Sequence, residues 1–189
     1  MNSNDALKLL EMAKSTTPST GWITHSLCVG ETASIIAEKL GLDIDKAKTL
    51  GYIHDIGKYD GNFKWHVMNG YKYLKSLGYG DEYCNICLTH SYLNNDVYCT
   101  AGGIPQKIPF RTNFIKNHEY TIYEKIINLC DLMVAKKRMT LDSRLIEIML
   151  RRGCHENTVY HIKEAKKLKK EMDILLGCNV YSLFDDIEL

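Results

Sequence analysis

No stretch of this chain offers the ~18 uncharged apolar residues that a membrane span needs, and neither sign of charge is in excess. Lys and Arg number 24 against 23 Asp and Glu, a formal net charge of +1. The first absence argues against a membrane protein. The second removes the overall basic field that drives non-specific nucleic-acid binding, so a nucleic-acid partner is not expected. The opening residues Met1-Asn-Ser-Asn-Asp-Ala carry an early acid and no apolar core, which is not a signal-peptide pattern. Alternation of period two is missing, as are internal repeats, low-complexity tracts and interdomain linkers. The cysteines (Cys28, Cys84, Cys87, Cys99, Cys130, Cys154 and Cys178) are odd in number and lack the spacing of a disulfide framework, so a reducing cytoplasm is the expected compartment.

What remains is a helical period. With 189 residues, 45% of them hydrophobic and 25% charged, the chain has the balance of one soluble domain that can bury its core without covalent staples. Apolar residues recur at three and four over 4–15, 22–40 and from Asp43 or Asp45 to Ile53, which predicts three helices; Gly41 stands where a C-terminal cap belongs. Gly57, after the third, allows a sharp turn. Trp65 to Leu77 reads as a fourth helix, and Asp81 as the cap of a fifth that carries Cys84, Cys87 and His90. The period is lost over 94–118, where Gly102-Gly103, Pro105 and Pro109 fall, so this segment reads as a long loop. Helical signal returns from about Tyr120 through Met133, with Asp131 on it, over 141–152 and over 157–176. The predicted class is an all-α, single-domain helical bundle.

His25, His54, His66 and His90 fall at or near helix ends, with Asp55 beside His54 and Asp131 on a later helix. Four imidazoles and two carboxylates suit two divalent transition metals (iron, manganese, nickel or zinc) better than magnesium or calcium. Successive helical side chains diverge by about 100°, so His54 and Asp55 can enter one cavity from two directions. Asp55 can then bridge two ions through its two oxygens. A bridged pair turns a water into hydroxide near neutral pH and holds phosphoryl oxygens, without a protein nucleophile.

His25, the doublet His54-Asp55 within His54-Asp55-Ile56-Gly57-Lys58, and the distant Asp131 resemble the HD-domain superfamily, a helical fold of metal-dependent phosphohydrolases. The resemblance runs over about 22–137, with additional helices at about 141–176. It implies that His25, His54, Asp55 and Asp131 hold one metal and that Asp55, His66 and His90 hold the other, as in the binuclear branch, with iron or manganese favoured. It implies further that Asp55 is catalytic and that Lys58 binds and neutralises a substrate phosphate. Related small members act on nucleoside phosphates and dinucleoside polyphosphates, which makes a small nucleotide the expected substrate. After His90 the chain reads Ser91-Tyr92-Leu93-Asn94-Asn95, without the Gly-Tyr-Pro element of the HD-GYP cyclic-dinucleotide phosphodiesterases, so that substrate is discounted. The same six ligands also serve di-iron oxygenases resembling inositol oxygenase. A silent nucleotide or metal sensor is the rival from outside enzymes.

Other residues have quieter readings. Cys84-Asn-Ile-Cys87 has zinc-site spacing but lies on one predicted helix without two further soft ligands, so core packing is expected. His118, His155 and His161 lack matching partners and read as surface residues. Arg111 and Lys116 could reach a phosphate if the long loop closes as a lid, as could Lys136-Lys137-Arg138 after the Asp131 helix. The run Lys163 to Lys170 reads as a solvated face. Most of the tyrosines around His66 and His90 are expected in the core, with Tyr92 and Tyr98 as candidates to stack on a nucleobase.

Overall fold

Two glycines let the second and third helices of the chain cross in close contact. The computed structural model describes residues 1–102 and 107–187, and in it helix α2 (Gly21–Lys39) lies against α3 (Ile44–Ile53). A Cβ on Gly51 would stand 2.4 Å from the Gly30 Cα, and one on Gly30 would stand 2.8 Å from the Lys48 carbonyl oxygen. Only hydrogen fits at either position. This contact brings His25 on α2 beside His54 at the end of α3, with ring centroids 5.3 Å apart.

Helix α1 (Ser3–Ala13) starts at a capping box in which Asn2 and Asp5 satisfy each other's backbone N–H groups. Of the two acids able to start α3, Asp43 is the cap, accepting from the Lys46 N–H at 3.0 Å. Asp45 instead accepts from the Ser3 N–H at 3.2 Å and ties α1 to α3. The turn Ile56–Lys58 follows, then α4 (His66–Ser76) and α5 (Asp81–Thr89). Gly57 is required by proximity and not by an unusual φ. A Cβ there would stand 1.8 Å from the His66 carbonyl oxygen and 2.3 Å from the Gly70 nitrogen. The turn after the His-Asp doublet thus lies directly on the helix that begins with His66. Gly80, with no side chain to bond, is the N-cap of α5, and Asp81 sits in its first turn, where its charge favours the helix dipole.

The segment expected to be a long loop contains a helix, α6 (Pro109–Asn117). Pro109 occupies its first turn, where the missing N–H would have no partner and the fixed φ already suits a helix. The proline that reads as a breaker is the start signal, and Ile115 then buries completely beside Leu88 and Val67. Two further loop signals, Gly103 and Pro105, lie outside the described residues. Helix α7 (Ile122–Asp131) opens on a capping box of Thr121 and Glu124 and packs on α2 and α3. Helices α8 (Leu141–Arg152) and α9 (Thr158–Leu176) meet in a separate apolar cluster of Leu141, Leu145, Ile148 and Ala165. Helix ends otherwise lie within two residues of the positions read from the period, the helix expected from Tyr120 starting at Ile122.

No β-strand occurs among the described residues, only an isolated bridge from Val134 to Arg138. The architecture is all-α. No described helix is long and apolar enough to cross a membrane. The main core runs through α1, α2, α3 and α7, with Leu10, Ile36, Leu50, Ile53 and Leu129 buried. Cys84 and Cys87 are buried in it, and the Cys87 Sγ lies 3.6 Å from the Ile53 carbonyl oxygen.

If the Gly30–Gly51 contact sets the α2–α3 crossing, Gly51→Ala lowers the unfolding free energy by about 2–3 kcal/mol through overpacking. Gly80→Ala, where nothing lies within 4 Å, changes it by about 1 kcal/mol or less as an exposed cap. Equal denaturant midpoints for the two variants would contradict the packing argument.

Candidate metal centre

Four imidazoles are oriented in the same way. The Nδ1 of His25 donates to the Ala135 carbonyl at 3.1 Å, that of His54 to Gly51 at 2.7 Å, that of His66 to Phe63 at 2.7 Å and that of His90 to Ile86 at 3.0 Å. A carbonyl oxygen can only accept, so each Nδ1 carries a proton; the Nε2 of His54, His66 and His90 is left to present a lone pair, whereas that of His25 faces the Asp131 carboxylate at 2.9 Å. Such second partners fix the tautomer and ring direction of metal-binding histidines. All four Nε2 atoms converge. Those of His66 and His90 stand 3.3 Å apart, and two facing lone pairs at that distance repel unless a cation or a proton lies between them. The buried Nε2 of His54 has no hydrogen-bond partner among the described residues. The donor set fits a metal.

Asp55 lies at the centre of the four and is 3% exposed. Its Oδ1 is 3.4 Å from the Nε2 of both His66 and His90, and its Oδ2 is 3.6 Å from that of His54. Each carboxylate oxygen therefore faces a different set of donors. The described residues contain two groups of the right dimensions to hold an ion, His25-His54-Asp55 and Asp55-His66-His90, and Asp55 belongs to both. Asp131 completes the first side, with its Oδ1 2.9 Å from the His25 Nε2 and 3.9 Å from that of His54. Lys58 turns inward, and its Nζ donates to Asp55 Oδ2.

Burial would raise the pKa of Asp55, but Lys58 and the neighbouring histidines outweigh it and hold the carboxyl well below its ordinary range. Asp131 is likewise held low against its burial, by its hydrogen bond to His25 and by the charges of His25 and His54. Burial pushes His54 down to about 4 and His66 to about 3. At neutral pH the centre thus combines anionic carboxylates with His54 and His66 imidazoles that keep their lone pairs.

The segment after α5 is moored from several sides. The carboxylate of buried Glu124 accepts from Thr89 Oγ1 at 3.0 Å, His118 Nε2 at 2.9 Å and the Thr121 N–H at 2.8 Å. Tyr120 donates its hydroxyl to the Tyr92 carbonyl at 2.8 Å. Between these anchors Ser91 takes a left-handed φ of 68°, unfavourable for a residue with a side chain, and its Oγ donates to Asp131 Oδ2 at 2.9 Å. Ser91 thus orients Asp131, and nothing in its sequence context distinguishes it except its place after His90.

The centre opens into a cavity of about 1110 Å³. Lys58, Arg111 and Tyr92 line it, the Arg111 guanidinium lying 5.2 Å from the centre of the Tyr92 ring. Tyr92 is buried, whereas Tyr98 is half exposed and not among the lining residues. Lys136 and Lys137 reach the cavity, while Arg138 turns away to Asp186 at 2.8 Å. Lys116 is exposed and also off the lining. The basic run on α9 makes charge pairs, Lys166 with Asp142 at 2.8 Å and Lys169 with Asp173 at 2.6 Å.

Three expected surface histidines need correction. His118 pairs with buried Glu124, and His155 is half buried. His161 is 2% exposed and lines the cavity. The period of α9 carries the signal: His161, Ala165, Met172 and Leu176 are its buried positions, so the apolar face passes through the histidine. Arg144 and Arg152 of α8 also line the cavity and were not singled out by the sequence pattern.

Burial pushes His161 down to about 4, against a weaker opposing pull from the Cys99 backbone. The unfolded chain therefore binds this proton more readily than the folded one. The stabilisation is complete above about pH 6.5 and is lost as pH falls towards 4, by about 2–3 kcal/mol in all. In His161→Gln the slope of stability against pH between 7 and 4.5 becomes shallower, as read by urea titration at each pH. An unchanged slope would refute the assignment.

A family model described as HD domain matches residues 22–136. Ribonuclease Y of Fervidobacterium nodosum is 38% identical over 73 residues, covering 36% of this chain and 14% of that protein. Ribonuclease Y of Pseudothermotoga lettingae is 33% identical over the same length, with the same coverage. The match thus spans about one seventh of these relatives. Among solved structures, the HD domain of the L. monocytogenes phosphodiesterase PgpH is 16% identical, with a TM-score of 0.49, covering 89% of this chain and 95% of that one. Its complex with cyclic-di-AMP gives 16% and 0.46, covering 96% and 87%. With more than half of its length matched by the family model, the chain belongs to the HD-domain superfamily of metal-dependent phosphohydrolases.

Proposed function

We propose that this chain hydrolyses a phosphoester or phosphoanhydride bond of a small nucleotide at a binuclear metal centre. The observation that carries the reading is the position of Asp55, with one oxygen towards His54 and the other towards His66 and His90. His25, His54, Asp55 and Asp131 would hold one divalent ion and Asp55, His66 and His90 the second. Metals bound there supply an activated water and draw charge from a phosphoryl oxygen.

The protein's own part is positional and electrostatic. The four backbone-bonded Nδ1 groups keep the rings from rotating, and Ser91 keeps Asp131 turned inward. Lys58 is flexible enough to exchange its bond with Asp55 for one with a substrate phosphate, where its charge offsets the negative charge that develops during attack. Tyr92, backed by Arg111, offers a ring face beside the cavity for a base. Among the described residues, eight lysines and arginines line the cavity against three acids. That imbalance favours an anionic phosphate over the neutral substrate that an oxygenase on the same ligands could take.

The experiment is metal analysis combined with turnover of bis(p-nitrophenyl) phosphate. Native protein carries about two equivalents of transition metal, iron or manganese foremost, and His66→Ala or His90→Ala falls towards one. Asp55→Ala loses both metal and hydrolysis, and Lys58→Ala keeps its metal while kcat/KM falls by about 100-fold. Unaltered metal content and turnover in Asp55→Ala would overturn the reading.

A further inference from the structure

The cationic lining is not spread evenly. Among the described residues three of its cations, Arg144, Arg151 and Arg152, stand together on α8, beyond residue 136, where the family match stops. Arg144 is 8% exposed, and its Nε has no hydrogen-bond partner among the described residues. One acid, Glu147, serves two arginines there. It accepts from Arg144 Nη1 and, at 2.9 Å, from Arg151 Nε. Arg152 makes no ion pair among the described residues, and it is held below its ordinary pKa by partial burial and by Arg151 and Arg144, with Asp131 and Asp55 pulling the other way. His161 adjoins them in the lining, and neither of its ring nitrogens completes a hydrogen bond of normal geometry among the described residues.

Two guanidiniums sharing one carboxylate, with a third beside them at the wall of the cavity, form a repulsive arrangement, and a buried donor without a partner adds its desolvation cost. A multiply charged anion removes both penalties, and guanidiniums bind phosphate oxygens in pairs. The arginines and the His/Asp centre line one cavity of about 1110 Å³, at the upper end for small-molecule sites. We propose that α8 and α9 add a second phosphate subsite, formed by Arg144, Arg151, Arg152 and His161, which holds a phosphate other than the one at the metal centre and so selects substrates carrying at least two phosphates. The metal-dependent hydrolase reading enters only in saying which phosphate is cleaved. The subsite itself is a binding claim.

The test is calorimetric titration of the native full chain with orthophosphate, inorganic triphosphate and ATP. Inorganic triphosphate is expected to bind at least about 10-fold more tightly than orthophosphate, and Arg152→Ala to remove most of that ratio while leaving orthophosphate within about twofold. Arg152→Lys, which keeps the charge but not the planar fork, falls between them. Because Arg152 holds no buried acid in place, its variant is expected to keep the native melting temperature. Metal stripping by triphosphate affects native and variant protein alike and cancels in the comparison. ATP binding tighter than inorganic triphosphate identifies a nucleotide, and equal affinities a linear polyphosphate. Equal binding of orthophosphate and triphosphate by the native protein, or an unchanged ratio in Arg152→Ala, would overturn the subsite. Absence of any phosphoester hydrolysis would overturn the preceding reading and leave these binding ratios standing.

Discussion

A carboxylate buried to 3% in the middle of a helical domain is the constraint from which the rest of this structure follows. Asp55 must remain charged to be useful, and a lone charge at such depth costs several kcal/mol. Lys58 pairs with it directly, and the imidazoles around it meet the rest of that cost when a cation or proton lies between their Nε2 atoms and the carboxylate. They meet it only if their polar atoms point at Asp55, so the local geometry around it is fixed by the backbone. Each histidine hands one nitrogen to a carbonyl three or four residues earlier in its own segment or, for His25, to Ala135 across the molecule. The helix ends that carry these residues also supply the carbonyls that aim them.

Holding helix ends together requires close approach, and glycine supplies it twice. Gly51 against Gly30 brings His54 beside His25, and Gly57 against the His66 carbonyl presses the turn after the doublet onto the start of α4. The fourth histidine arrives differently, on a segment tied through Thr89 to Glu124 and through the Tyr92 carbonyl to Tyr120. The left-handed Ser91 between those ties is held by its surroundings, and its hydroxyl reaches Asp131 as a result. Backbone strain at that residue is thus coupled to the orientation of a carboxylate at the centre.

Much of this was legible in the residues. The helical period gave the fold class, and the six His and Asp residues that sequence reasoning joined do converge in space. The failures have physical causes. Pro109 was read as a breaker because the same residue stops a helix from within and starts one at its first turn, and only the buried Ile115 beyond it decides between the two. Gly57 does lie in the expected turn, but the Cβ it lacks would also collide with a helix that begins nine residues later, a contact no local pattern contains. His161 reads as a surface residue because it lacks a matching partner, although the residues four and seven positions on, Ala165 and Leu168, are apolar. Arginines scored singly look like solvated charge. Their meaning depends on which others they meet.

That last point bears on function. A net charge of +1 describes the chain as a whole and conceals its distribution. Acids are spent elsewhere, on caps such as Asp43 and on surface pairs such as Asp142 with Lys166 and Asp173 with Lys169. The cavity keeps a surplus of cations around two carboxylates whose charge is already taken up by histidines and Lys58. A low-dielectric wall strengthens such a field within the cavity, whereas salt screens the rest of the surface. A neutral protein can therefore present a strongly positive interior to an anion that enters it. The positive potential of that interior is built by the arginines of α8 as much as by the residues around the His/Asp centre.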